Sequence, residues 1–207
     1  MHDSQVDVFR HLAGAKAVFG DGPASGLYIS QDYGVAGTLT FSSGSIVAVP
    51  FLIPWNVTVD RIGIEVVTLA SGTARLGIYR AAGDGNPCNV SRVLDAGTVS
   101  VASTGIKEVS IDQALTPGLH WLMYWAGASA AVRGSTSSPS GPLVCWDCAP
   151  AASSTTLLVD SGRAASMRIG GVTYGSAFPS TFDMTATAGT STWYRNAPSP
   201  FITLRVK

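Results

Sequence analysis

Residues 119–125 read Leu-His-Trp-Leu-Met-Tyr-Trp, a run that is apolar on both parities. Leu119, Trp121, Met123 and Trp125 fall on one side of an extended chain, and Leu122, Tyr124 and Ala126 fall on the other. The turn Thr116-Pro117-Gly118 leads into it. A strand that is apolar on both faces needs a cover on each, so it belongs in the middle of a sandwich or at a contact between subunits. Trp121, Met123 and Trp125 are therefore expected in the core or in a subunit interface.

The rest of the chain from residue 27 onward carries the same period of two. Leu39 and Phe41 alternate with Thr38 and Thr40; Val47, Val49, Phe51 and Ile53 share a face, with Pro50 and Pro54 marking an edge or a bulge. Val57 and Val59 lie on one parity and Ile62, Ile64 and Val66 on the other, which predicts one extra residue near Asp60-Arg61. Ala74, Leu76 and Ile78 face inward, Lys107, Val109 and Ile111 share one face of a later strand, and Ile202, Leu204 and Val206 form a closing strand. Eight or more short strands, with turn signals every 8 to 12 residues, predict an all-β chain: a jelly-roll-like antiparallel β-sandwich. The closing strand is expected to return to the early ones, as in a Greek key.

Two segments break that pattern. In residues 4–19, Val8, Leu12, Ala15 and Phe19 recur at helical spacing behind a Ser4/Asp7 capping pair, and Gly20-Asp21-Gly22-Pro23 ends the run. Residues 1–26 thus read as an arm or short helix, with Val8, Leu12 and Phe19 as its docking side chains. Residues 27–207 read as the sandwich, with long turn-rich loops between 134 and 200, where recognition on a β scaffold usually sits.

Thirteen basic residues balance thirteen acidic ones, so no net field draws the chain to nucleic acid or to an anionic membrane. No apolar stretch approaches the roughly 20 residues of a membrane-spanning helix. The opening Met1-His2-Asp3-Ser4 has no basic or apolar leader, and three cysteines are too few for a disulfide scaffold. Both point to synthesis in a reducing cytosol, with buried or loop thiols at Cys88, Cys145 and Cys148 and no glycan at Asn56 or Asn89.

Catalytic chemistry is sparse. His2 and His11 fall in the arm, and His120 sits inside the aromatic strand, where a hydrogen-bonded structural role is expected. Glutamate occurs only at 65 and 108, and the eleven aspartates fall mostly at turns. No nucleophile elbow, phosphate loop or His-Glu-x-x-His is present. Cys145-Trp-Asp-Cys148 is a single pair where structural zinc takes four ligands, and Asp84 with Asn86 supplies two oxygens where calcium takes about six. No enzyme, cofactor or metal is therefore expected. Trp146 and Asp147, and Trp193, Tyr194 and Arg195, stand in polar loop sequence as candidate interface or glycan contacts.

The runs Ala48-Val-Pro-Phe51, Val59-Asp-Arg-Ile-Gly-Ile64, Ala74-Arg-Leu-Gly-Ile-Tyr-Arg80, Asp95-Ala-Gly-Thr98 and Leu115-Thr-Pro-Gly-Leu-His-Trp-Leu122 resemble β-sandwich modules of tailed-bacteriophage structural proteins. Ala177-Phe-Pro-Ser-Thr-Phe182 and Pro200-Phe-Ile-Thr-Leu-Arg205 fit the same layout. His120 stands where such modules usually carry Tyr, and Cys145–Cys148 falls outside their pattern. The resemblance implies a non-catalytic tail-fibre, head-fibre or capsid-decoration protein. It implies a homotrimer in the virion, assembled in the host bacterial cytoplasm, docked on other virion proteins and touching a host surface glycan. The alternative is a secreted carbohydrate-binding β-sandwich module.

Overall fold

A computed structural model describes residues 23–30, 35–83, 88–136, 166–184, 194–195 and 198–207. The expected helix of residues 4–19, with Val8, Leu12 and Phe19, lies outside them, as do Asp84 and Asn86. Among the described residues every regular element is a strand. They are β1 (Tyr28–Ser30), β2 (Ala36–Thr40), β3 (Ile46–Ile53), β4 (Val57–Thr68), β5 (Thr73–Ala81), β6 (Asn89–Ser100) and β7 (Gly105–Leu115). There follow β8 (Gly118–Ala126), β9 (Ala131–Ser135), β10 (Met167–Ile169), β11 (Thr181–Asp183), β12 (Tyr194–Arg195), β13 (Ser199–Pro200) and β14 (Thr203–Val206).

Strands β2 to β9 make the two sheets of the sandwich. One runs β2-β9-β4-β7 and the other β3-β8-β5-β6, with every pair antiparallel. Successive strands mostly cross between the sheets, which is the strand order of a jelly roll. The closing strand β14 lies between β1 and β4, so the chain end does return to early strands. Short strands extend the second sheet: β10 and β12 beyond β3, and β11 beyond β6.

The alternations place the core. Val47, Val49, Phe51 and Ile53 from β3, Ala74, Leu76 and Ile78 from β5, and Leu122, Tyr124 and Ala126 from β8 meet Ile62, Ile64, Val66, Leu204 and Val206 between the sheets. The parity flip of β4 is an extra residue at Asp60: β14 steps from Arg205 to Val206 while β4 steps from Arg61 to Val59, and the ladder to β7 shifts register at the same place. Pro50 sits where its missing N–H does no harm: β10 pairs only with Ile46–Ala48, so β3 beyond that point has β8 on one side alone among the described strands.

A second core lies on the far face of the second sheet, against residues 166–184. There Trp121, Met123 and Trp125 meet Ile46, Ala48, Tyr79, Val90, Met167, Ile169, Phe178 and Met184. Strand β8 is thus covered on both faces by its own chain, and Trp121, Met123 and Trp125 need no neighbouring subunit to bury them. Residues 166–184, part of the long loops expected between 134 and 200, combine exposed positions such as Thr173, Ala177 and Ser180 with a buried underside. Phe178 and Met184 are buried, and Phe178 packs so closely over Gly77 that a Cβ there would lie 2.9 Å from two of its ring atoms. Bonds to the peptide groups of residues 178–180 hold this strap down. Tyr79 Oη donates to Pro179 O, Arg92 Nη1 to Phe178 O, and Arg92 N to Ser180 O.

Cys88, fully buried beside this second core, is disulfide-bonded. This corrects the expectation of a thiol at Cys88.

Candidate functional site

The outward face of the first sheet carries the polar residues of β1, β14, β4 and β7 in cross-strand rows. Because Ile62, Ile64, Leu204 and Val206 point into the core, their neighbours Arg61, Gly63, Glu65, Thr203 and Arg205 point out. The register aligns Tyr28, Arg205, Arg61 and Ser110 in one row and Ser30, Thr203, Gly63 and Glu108 in the next. Glu65 and Ile106 pair in the third row.

Gly63 lets the neighbouring strand close over the middle of this face. A Cβ at this position would lie 2.9 Å from Glu108 Cγ and 2.9 Å from Lys107 O, so the Glu108 stem packs directly on the backbone there. Beside it opens a trough of about 260 Å³, with Tyr28, Ser30 and Thr203 on one side, Ile106 on the other, and Glu65, Arg133 and Phe201 at the end. Tyr28 and Ile106 are among the exposed large apolar side chains, at 52% and 73% of their free surface.

Its charges are paired. Arg133 holds Glu65 through two contacts of 3.4 Å, long enough to leave the carboxylate lone pairs open to a further donor. Arg205 grips Asp60 at 2.8 and 2.6 Å, which keeps the Asp60 carboxyl below the usual carboxylate range and the Arg205 guanidinium above its own. The hydrogen bond between the Tyr28 phenol and the Glu108 carboxylate raises the phenol pKa.

His120 occupies the structural role expected of it. The ring is buried on β8, Nδ1 lies 3.2 Å from Gly118 O, and burial lowers its pKa. Glu65 and Glu108 stand on neighbouring strands, but each is held by a partner on the open trough. Among the described residues no three His, Cys, Asp or Glu side chains come together as a metal cluster.

Trp146, Asp147 and Trp193 lie outside the described residues, and of Tyr194 and Arg195 only the backbone is described, as strand β12 paired with β10. The described lining of the trough consists of other residues. Its own residues were passed over because each looks like an ordinary solvent-facing position. No protein-family model matches the chain, and no curated protein matches it.

Proposed function

We propose that the chain is a non-catalytic structural protein of a tailed-phage particle, a tail or head fibre or a capsid-decoration protein that docks on the virion and touches the host surface. The reading is supported by where the resembling residues fall. The runs at 48–51, 59–64, 74–80, 95–98 and 115–122 lie on β3, β4, β5, β6 and β8, strands that together contribute to both sheets of the jelly roll. The assembled state we assign is a homotrimer. Its contact falls on surfaces other than β8, since that strand is covered within the chain. Mass spectrometry of purified particles and native mass measurement of the isolated chain test this together. A chain present in the particles, with a mass of three copies, is expected. A stable monomer that never joins particles overturns the reading.

The bonded Cys88 favours a second reading, the secreted carbohydrate-binding module, because structural disulfides persist mainly in oxidising compartments. Export of the chain by its own host, with saccharide binding as a monomer, would establish it in place of the first.

A further inference from the structure

We infer that the trough on the outer face of the first sheet binds one neutral pyranose ring of a surface saccharide. The inference rests on the reading that this chain docks on a surface, and it adds the place and the chemistry. The cavity of about 260 Å³ falls just below the range of roughly 300–1,000 Å³ that drug-sized ligands occupy, so one ring fills it. Tyr28 and Ile106, both exposed, offer an aromatic face and an aliphatic face to the C–H surfaces of such a ring.

Hydroxyl recognition comes from the end and floor of the trough. The Glu65 carboxylate accepts and the Arg133 guanidinium donates, and the two planar groups side by side suit a pair of vicinal hydroxyls. The Ser30 and Thr203 hydroxyls, which donate or accept, stand opposite. The charge balance selects a neutral ligand. Of the residues that line the trough, only Glu65 and Arg133 are charged, and they pair with each other; Asp60 beside it is matched by Arg205, and the Glu108 carboxylate is hydrogen-bonded to the Tyr28 phenol.

The full chain, labelled with nitrogen-15, is titrated with the methyl pyranosides of glucose, galactose, mannose and N-acetylglucosamine, and with glucuronate as the anionic comparison. At least one neutral pyranoside is expected to shift the amides of Tyr28, Ile106 and Thr203 and to saturate at millimolar concentration, with glucuronate weaker. Tyr28→Ala and Glu65→Gln, both on an open surface where folding is undisturbed, are each expected to weaken binding about fivefold at an unchanged melting temperature. The proposal is overturned if no pyranoside moves those amides, if glucuronate binds as tightly, or if both variants bind like the parent. Shifts that depend on protein concentration without sugar would also overturn it, by assigning the trough to a second copy. Particle association is read separately, so a chain that joins virions and binds no sugar sinks this inference alone.

Discussion

Replacing Asp95 by asparagine tests whether one carboxylate anchors the strap of residues 166–184 over the aromatic strand. Asp95, on β6, accepts from Arg75 Nη1 at 2.9 Å, from Phe178 N at 2.9 Å and from Gly97 N at 3.1 Å. The Arg75 and Asp95 side chains retain only 11% and 16% of their free surface, and Arg75 Nε is buried with no partner among the described residues. An amide keeps one accepting oxygen and turns its NH₂ toward either the guanidinium or the Phe178 N–H, donor against donor, while Arg75 loses its counter-charge. Breaking a buried pair by removing one partner costs about 3–5 kcal/mol. The residual exposure puts this one at the lower end, about 3 kcal/mol, a large share of a total stability of roughly 5–15 kcal/mol. With a urea slope of about 2–3 kcal/mol/M, the unfolding midpoint falls by about 1–1.5 M. In a double-mutant cycle with Arg75→Met, the pair costs less than the sum of the singles, because the stranded charge is gone.

The same carboxylate sets an acid limb. Burial pushes its pKa up, but the bonds from Phe178 N–H, Arg75 and Gly97 N–H outweigh that and hold the pKa below the ordinary 3.8. A group whose folded pKa is depressed contributes stability that is complete above the unfolded value and is lost as pH falls through the folded one. The parent therefore loses stability more steeply than Asp95→Asn from about pH 5 downward. A midpoint shift under about 0.3 M, an additive cycle or parallel acid limbs would refute the anchoring role.

Gly77→Ala puts a Cβ against the Phe178 ring and is expected to cost about 1–3 kcal/mol by overpacking, with a red shift of tryptophan emission as Trp121 and Trp125 lose their cover. For His120, burial first and the charge of Arg80 hold the imidazole pKa below 6.5, so its contribution is complete above 6.5 and is lost as pH falls through the folded value. An imidazole NMR titration with a midpoint at or above 6.5 would contradict this. For the Cys88 bond, either remaining cysteine closes a loop of about 60 residues, for which chain entropy gives about 4 kcal/mol. Reductant or Cys88→Ser lowers the unfolding midpoint to match, and the denatured native chain titrates as one free thiol; three thiols would disprove the bond.

What the sequence made legible, and what it hid, follows from the range of each signal. Local periodicity sufficed for the strands. The parity flip between Val59 and Ile62 located a bulge that the ladder places between Val59 and Arg61, and the double-sided run at 119–125 was a strand covered on both faces. The identity of the second cover was not local. Residues 166–184 carry a few apolar side chains at no regular spacing, and what holds them is a set of single bonds to Asp95, Arg92 and Tyr79 from 83 to 100 positions away along the chain, together with the space left by Gly77. Periodicity left the middle of a sandwich and a subunit contact equally open, because it could not show that the chain doubles back. The trough was hidden for the same reason in another form. Tyr28, Glu65, Ile106, Arg133 and Thr203 are each ordinary on their own strands, and only the register of five strands puts them around one hollow. Glycine is the legible sign of close packing on both sheets. At 63 and at 77 it marks where something outside the strand's own sequence comes too close for a side chain.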